Sequence, residues 1–257
     1  MSTSRDPVAG THRRLTTAGR VLSALSRHAW FVEDEVVGLI DWVKPGDVCI
    51  DIGAEYGLYT VALAARVGPD GKVYSIEPQP DATRILDLAV QLAGAAEIVT
   101  TYGLALAEEE GQDLLSVPRR RGLPVHGRAY LSGSATGPGP NVEFDSSRLV
   151  PVEVTTLDQF CADQDIARVD VIKADVEGAE LKVLRGGVDT LSRDHPAIQL
   201  EIENPHIAKY GAGAADVVEF LQDLGYGMRC WDNGTWRPAD RVTDAFRNYL
   251  FVASTPS

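Results

Sequence analysis

The feature that most constrains the fold is the run VCIDIGAEYGLYTVALAA at residues 48–65. Its first five residues are typical of a short buried strand, and residues 58–66 have the apolar spacing of a helix. Gly53 and Gly57 lie in the turn between them, where the missing side chain lets the backbone approach a ligand closely. The run therefore predicts a strand, a glycine turn and a helix that together could hold a ligand.

The remainder of the chain continues to alternate between short apolar runs and amphipathic segments. This alternation favours an α/β fold with a mostly parallel, seven-stranded sheet and helices on both faces. The last two strands have no helix between them, so we expect an antiparallel hairpin at one sheet edge. The further strands are predicted at residues 72–76, 98–101, 169–174, 197–202, 227–231 and 249–253, and the further helices at 81–93, 157–163, 181–185 and 214–224.

Two segments lie outside this alternation. Residues 1–44 are expected to form an N-terminal helical extension, because apolar residues recur at helical spacing over 12–43 before Pro45-Gly46 ends the pattern. This extension could cover the site or form a homodimer contact. Residues 118–150 are rich in Gly, Pro and Ser, which predicts an irregular insertion loop near the substrate. Residues 45–257 are otherwise expected to form a single Rossmann-like domain.

Charge and composition narrow the possible partners of this 257-residue chain. A formal net charge of −13 argues against nucleic acid, which needs clustered Lys and Arg. The short run Arg119-Arg120-Arg121 is interpreted as solvated surface charge. No stretch approaches the roughly 20 apolar residues that would span a membrane, and the first residues lack the apolar core of a secretory signal. A cytoplasmic protein with a small-molecule substrate is therefore expected.

Acidic residues end two of the predicted strands. Asp51 ends the first strand, where open α/β sheets bind ligands, and its carboxylate suits the ammonium group of a methionine moiety. Glu77, in Ile76-Glu77-Pro78, could accept hydrogen bonds from both hydroxyls of a ribose. The turn GAEYG is not the dinucleotide fingerprint GxGxxG, so NAD is the poorer interpretation.

The motifs DIGAEYGLYT, IEPQP, TTLDQFC, DVIKADVEGAELKVLRGG and PAIQLEIE follow one another over residues 48–203. In this order they resemble the FkbM family of methyltransferases. The resemblance implies a class I methyltransferase fold, S-adenosylmethionine as methyl donor, and O-methylation of a sugar, polyketide or other secondary metabolite. Family members commonly carry Asn where this chain has Glu55, a change that should alter contacts at the edge of the cofactor. The expected cofactor-binding residues are Asp51, Gly53, Ala54, Tyr56, Gly57, Thr60, Glu77, Pro78, Ala105 and Asp175.

Methyl transfer to a hydroxyl requires removal of its proton, and several candidates follow the later strands. His206 is a possible general base because imidazole titrates near neutral pH, and His126 in the insertion is an alternative. Asp175 and Glu203 are further catalytic candidates, and Glu177, Glu201 and Asn204 follow the same two strands. Asp175, Glu203 and Asn204 could also hold Mg²⁺, which would lower the pKa of a bound hydroxyl.

Other roles for these residues remain open. Asp175 could instead contact the cofactor or cap a helix, and Lys173, on the same side of its strand, could pair with Asp175 or Glu201. The methyl group could be transferred to nitrogen or to a carboxylate rather than to a hydroxyl. A noncatalytic protein that binds S-adenosylmethionine is the remaining alternative.

Overall fold

A computed structural model describes residues 35–253 of the chain. Its first helix, α1 (Glu35–Ile40), is the only part of the predicted N-terminal extension that falls within these residues apart from the turn that follows it. The helix stops at Ile40, several residues before Pro45-Gly46. The rest of the extension, and any homodimer contact that it makes, lie outside the described residues and stay a prediction.

The strands that the structure assigns are numbered here in chain order. They are β1 (Val48–Ile52), β2 (Lys72–Ile76), β3 (Val99–Tyr102), β4 (Ala105–Leu106), β5 (Gly111–Arg120), β6 (Leu123–Pro124), β7 (Tyr130–Leu131), β8 (Ser146–Thr155), β9 (Val171–Ala174), β10 (Ala197–Glu201), β11 (Tyr226–Asp232), β12 (Thr235–Pro238) and β13 (Asn248–Ala253). The helices after α1 are α2 (Leu58–Val67), α3 (Pro80–Ala93), α4 (Leu157–Asp163), α5 (Glu180–Arg185), α6 (Val188–Asp194), α7 (Asn204–Ile207) and α8 (Ala214–Asp223).

The main sheet has eight strands in the order β12-β11-β13-β10-β9-β1-β2-β3. The five strands from β10 to β3 are parallel, as expected for a class I methyltransferase sheet. Helices cover both faces: α1, α2 and α3 bury one face around Leu39, Leu63 and Leu86, and the later helices bury the other around Leu157 and Leu221. The α/β class predicted from the alternation is confirmed.

The main sheet has eight strands rather than the seven predicted, and its antiparallel end is arranged differently from the prediction. The strand β13 lies between β10 and β11 and is antiparallel to both, so it is internal. This placement follows from its sequence, because Tyr249, Leu250 and Phe251 are all fully buried. The edge hairpin is instead β11–β12, whose turn Asn233-Gly234 has positive φ at both residues, as a two-residue hairpin requires.

A second sheet occupies the region that was predicted to be an irregular loop. It has the order β4-β8-β5-β6, with β7 also paired to β5. The long strands β5 and β8 pair antiparallel from Gly111 opposite Val154 to Arg119 opposite Ser146, so the prediction for residues 118–150 was wrong for the strands within it. The physical reason is a small separate core, in which Leu115, Val117, Leu131 and Val152 pack together. We call residues 111–155 the insertion sheet.

Candidate functional site

A cleft opens at the carboxyl ends of β1, β2 and β9, and the insertion sheet forms its outer wall. Its cavity volume is about 80 Å³, and the space around it continues into open solvent at the mouth. The residues from the main sheet and its loops include Ile52, Gly53, Glu55, Ile76, Glu77, Pro78, Gln79, Asp175, Val176 and Glu177. Those from the insertion side include Leu104, Ala105, Leu106, Leu115, Gly127, Ala129, Tyr130 and Leu131.

Glu77 is the best-defined polar group in this cleft. Its Oε2 accepts the backbone N–H of Glu55 at 3.0 Å, and its Oε1 accepts the backbone N–H of Gln79 at 2.8 Å. Burial raises the pKa of this carboxyl to about 7, although both hydrogen bonds oppose the shift. Since a carboxylate offers about four lone-pair sites, Glu77 can still accept hydrogen bonds from a ligand.

Gly53 allows the two loops at the bottom of the cleft to pack closely together. Its φ is +76°, and a Cβ at this position would lie 1.8 Å from the carbonyl oxygen of Asp175. The loop after β9 therefore packs directly on the turn after β1, a contact that only glycine allows. The backbone that approaches Gly53 in the structure is that of the protein itself, and the predicted close approach of this turn to a ligand stays a prediction.

Asp51 lies beneath the cleft and is not among the residues that line it. Its carboxylate is 1% exposed and accepts a hydrogen bond from Thr60 Oγ1 at 2.5 Å. Thr60 Oγ1 in turn lies 2.9 Å from Ser75 Oγ. Burial raises the pKa of Asp51 to about 6, with Thr60 and Lys173 acting against it. The carboxylate thus faces α2, and the predicted direct contact between Asp51 and a cofactor ammonium group does not fit this geometry.

Lys173 continues the buried polar row that begins at Ser75 and Asp51. The register of the strands places Ser75, Asp51, Lys173 and Gln199 side by side on neighbouring strands. Lys173 Nζ lies 3.7 Å from Asp175 Oδ2 and 5.0 Å from the centre of the Tyr59 ring. Of the two pairings left open, the structure shows the one with Asp175. This contact holds one side of the Asp175 carboxylate at the cleft.

Some of the other predicted cofactor residues line the cleft, and the rest do not. Pro78 and Ala105 line the cleft beside Glu77. Ala54 is buried in the turn before α2, Thr60 is buried on the inner face of α2, and Tyr56 is exposed; none of the three lines the cleft. Gly57 has φ +86° and forms the N-terminal cap of α2, so its role is in the turn.

His206 belongs to a charged cluster at the rim of the cleft. Its Nδ1 lies 2.6 Å from Glu177 Oε2, and its Nε2 lies 2.5 Å from Arg128 Nη1 and 3.4 Å from Glu203 Oε2. Glu177 lines the cleft, whereas the His206 side chain is only 6% exposed. Both ring nitrogens thus face charged protein groups, an arrangement that suits holding Glu177 better than receiving a substrate proton. The side chain of His126 lies outside the described part of the structure.

The three residues proposed to hold Mg²⁺ have separate partners. Asn204 Oδ1 accepts the backbone N–H of Ala214 at 2.9 Å, which anchors the start of α8. Glu203 Oε1 pairs with Arg247 Nε at 3.0 Å, and Asp175 pairs with Lys173. Within residues 35–253, no group of three acidic, His or Cys side chains could hold a metal ion. The metal hypothesis is therefore not supported, because Asn204 and Glu203 are engaged by other protein groups.

Sequence reasoning missed Arg128 and, apart from Ala105, the apolar wall from Leu104 to Leu106. Glu177 was among the candidates expected two residues after Asp175 in the motif DVEGAE, and in the structure its φ is +55°. Arg128 had no sequence signal, because its contact with His206 joins residues 78 positions apart across the insertion sheet.

The parallel sheet, the glycine turn after β1 and the carboxylate after β2 together define a class I methyltransferase fold. The family model described as "Methyltransferase FkbM domain" matches residues 51–228, more than half of the chain. The chain therefore belongs to the FkbM methyltransferase family. No helix among residues 35–253 has the length and apolar character to cross a membrane.

Two curated relatives illustrate the family. The chain is 26% identical over 168 residues to the 2-O-methyltransferase NoeI of Sinorhizobium fredii, covering 63% of this chain and 65% of that protein. It is 27% identical over 232 residues to the AMB antimetabolite synthetase AmbE of Pseudomonas aeruginosa, covering 81% of this chain and 11% of AmbE. The chain thus spans less than two thirds of the length of these relatives.

Two solved structures show the same fold. The FkbM methyltransferase of Methylobacillus flagellatus superposes with a TM-score of 0.51 at 14% identity, covering 95% of this chain and 57% of that one. The O-methyltransferase of Bacillus cereus, solved in complex with SAH, superposes with a TM-score of 0.51 at 11% identity, covering 98% and 93%.

Proposed function

We propose that this protein transfers a methyl group from S-adenosylmethionine to a hydroxyl group of a small molecule, such as a sugar or another secondary metabolite. The observation that carries the proposal is the cleft that joins Gly53, Glu77 and Asp175 at the carboxyl ends of three parallel strands. Membership of the FkbM family supports the methyl donor. The relative NoeI, a 2-O-methyltransferase, favours a hydroxyl as the acceptor.

The residues of the cleft fit the methyl donor in their chemistry. Glu77 would accept hydrogen bonds from the ribose hydroxyls, since its carboxylate is fixed by two backbone N–H groups. Ile76, Leu104 and Leu106 form an apolar wall next to Glu77, and they would contact the adenine ring. Asp51 would support the site without contacting the cofactor, because its hydrogen bond to Thr60 holds α2 against the glycine turn.

The bound donor would supply an electrophilic methyl group on a sulfonium. The protein must then hold the acceptor hydroxyl in line with that group and receive its proton. Asp175 and Glu177 are the carboxylates of the β9 loop that line the cleft, and Lys173 lies 3.7 Å from Asp175. We propose Asp175 as the proton acceptor, with the Lys173 ammonium group orienting its carboxylate.

His206 would serve as a positioning residue. Its Nδ1 lies 2.6 Å from Glu177, and Arg128 reaches the same imidazole from the insertion sheet. This bridge would fix the outer wall of the cleft relative to the β9 loop. Glu203 would support it, since it lies within 3.4 Å of His206 and pairs with Arg247.

The proposal is tested by incubating the purified protein with S-adenosylmethionine and a panel of hydroxyl, amine and carboxylate acceptors. The release of S-adenosylhomocysteine (SAH), which remains after the methyl group is transferred, is measured. Turnover with hydroxyl acceptors alone supports the proposal. Turnover only with amines or carboxylates would correct the acceptor atom and keep the donor. Binding of the donor with no turnover on any acceptor would favour the noncatalytic alternative.

A further inference from the structure

A second cleft lies directly beside the cofactor-type cleft, between the first turns of α3 and the insertion sheet. Gln79 lines both clefts, so they are neighbours along one wall. Three arginines, Arg84, Arg119 and Arg148, line the second cleft together with a single acidic residue, Asp81. This local excess of positive charge contrasts with the net charge of −13 of the whole chain.

The strand register explains why two of these arginines face the cleft. Leu115 stands opposite Val150, and Val117 stands opposite Arg148, on the paired strands β5 and β8. Because side chains alternate between the faces of a strand, Arg119 shares the face of Leu115 and Val117. This face packs in the small core at one end and carries Arg119 and Arg148 at the other. The inward face of the insertion sheet therefore turns from apolar to basic where it leaves the core.

The neighbouring arginine has another role. Arg120 points to the opposite face, where its guanidinium lies 5.0 Å from the Phe144 ring and 3.6 Å from Glu143. Only Arg119 of the run of three thus lines the second cleft, and the interpretation of the whole run as solvated charge was incomplete.

The arginines of the cleft keep some donors available for a ligand. Arg119 Nε donates to the carbonyl oxygen of Gly122 at 3.0 Å, and Nη2 donates to the same oxygen, which orients the guanidinium and leaves Nη1 for a ligand. Arg84 is paired with Asp81 at 3.2 Å. The Arg148 side chain has no ion pair or hydrogen bond with any other residue in the range 35–253. Val117 and Val150 supply an apolar floor between these groups.

We infer that the second cleft binds a phosphate group carried by the methyl acceptor, held by Arg119 and Arg148 with the acceptor reaching past Gln79 into the first cleft. Guanidinium groups recognise phosphate through paired, charge-assisted hydrogen bonds, which suits two arginines on adjacent strands. The apolar floor would contact the carbon skeleton of the acceptor. The inference rests on the proposed function, which identifies the bound molecule as a methyl acceptor.

The test uses calorimetric titration of the full chain with glucose 1-phosphate and with inorganic phosphate. Arg148→Ala and the double variant Arg119→Ala/Arg148→Ala are compared with Arg241→Ala, a loss of the same charge after β12 at the opposite sheet edge. We expect glucose 1-phosphate to bind more tightly than phosphate. Its affinity should fall at least about tenfold in the double variant and remain unchanged in Arg241→Ala.

SAH titration of the same variants separates this inference from the proposed function. Unchanged SAH affinity in the double variant, with loss of glucose 1-phosphate binding, supports a distinct phosphate site. Equal binding of glucose 1-phosphate by wild type and double variant would overturn the inference even where SAH binds. Equal affinity for inorganic phosphate and glucose 1-phosphate would contradict an acceptor site. An oligonucleotide that binds more tightly than glucose 1-phosphate, and whose binding is lost in the double variant, would show that the second cleft binds nucleic acid rather than a methyl acceptor.

Discussion

Glu77 Oε2 accepts the backbone N–H of Glu55 at 3.0 Å, so the carboxylate after β2 holds the glycine turn after β1. One side chain thus joins the two loops that would contact the nucleoside of the cofactor. Because Glu77 is buried, its pKa is raised to about 7, and a ligand hydroxyl that donates to it would favour the ionised form.

This relationship predicts a pH-dependent affinity for SAH. Affinity should rise as the pH increases from 5 to about 8 and Glu77 ionises. Glu77→Gln should lower the affinity at pH 8 about tenfold, since a charged acceptor of hydrogen bonds is replaced by a neutral one. Calorimetric titration across this pH range checks both effects. An affinity that stays constant with pH in the wild type would contradict the role of Glu77.

Gly53→Ala should destabilise the fold strongly. The added Cβ would lie 1.8 Å from the carbonyl oxygen of Asp175, and the residue has φ +76°. Gly46→Ala is the matched control, because Gly46 has φ +87° and, apart from its chain neighbours, no described residue has an atom within 4 Å of the position that a Cβ would take. We expect a loss of about 1–2 kcal/mol for Gly46→Ala from backbone strain alone and several more for Gly53→Ala. Urea denaturation measures the difference, and equal losses would show that the loops separate easily.

Thr60→Val should reveal the energetic role of the buried Asp51. Removing the hydroxyl deletes the 2.5 Å hydrogen bond and leaves the carboxylate of Asp51 with fewer donors. The free energy of unfolding should fall by about 1–3 kcal/mol. Thr60→Ser keeps the hydroxyl and should retain most of the stability. A Thr60→Val variant as stable as the wild type would mean that Asp51 is protonated and satisfied elsewhere.

The stability of the ligand-free protein should decrease between about pH 4 and pH 7. Burial raises the pKa of Asp51 from 3.8 to about 6, and those of Glu77 and Glu180 from 4.5 to about 7. The folded state therefore binds more protons than the unfolded state in this range, so the free energy of unfolding falls as the pH rises. Calorimetric melting at pH 5 and pH 7.5 checks the sign. Glu180→Gln should flatten the dependence, and a stability that increases over this range would refute the raised pKa values as its cause.

Two substitutions should separate catalysis from positioning. Asp175→Asn should lower kcat about a hundredfold or more, as expected for loss of a proton acceptor, with a small effect on KM for the donor. His206→Ala should act mainly on KM for the acceptor, because His206 links Glu177 to Arg128 of the insertion sheet. Arg128→Met should reproduce the effect of His206→Ala. Steady-state kinetics distinguish the two patterns, and a kcat loss in His206→Ala that matches Asp175→Asn would make His206 the base.

The parallel part of the fold could be predicted because its signals are local. The glycine turn after β1 and the helices α3, α4 and α8 fall within a few residues of their predicted bounds. The insertion sheet was missed because Pro118 and Pro151 interrupt strands whose inward face is apolar over only part of their length. Pairing over long sequence distances then decides the structure, and local patterns do not report it.

The candidate site was predictable in part for the same reason. Strand-end residues such as Glu77 and Asp175 could be placed, since the carboxyl ends of parallel strands share one edge. Whether a strand-end carboxylate faces the cleft or the covering helix depends on the register, which turned Asp51 toward Thr60. The metal hypothesis is not supported because Asn204 and Glu203 have partners on α8 and at Arg247, which no local pattern indicates.

The most direct test of the proposed methyltransferase is calorimetric titration of the purified protein with SAH. We predict one site with micromolar affinity, strongly weakened by Glu77→Ala and unaffected by Glu219→Ala, which removes an exposed carboxylate from α8. Absence of SAH binding to the folded wild-type protein would contradict the proposed function.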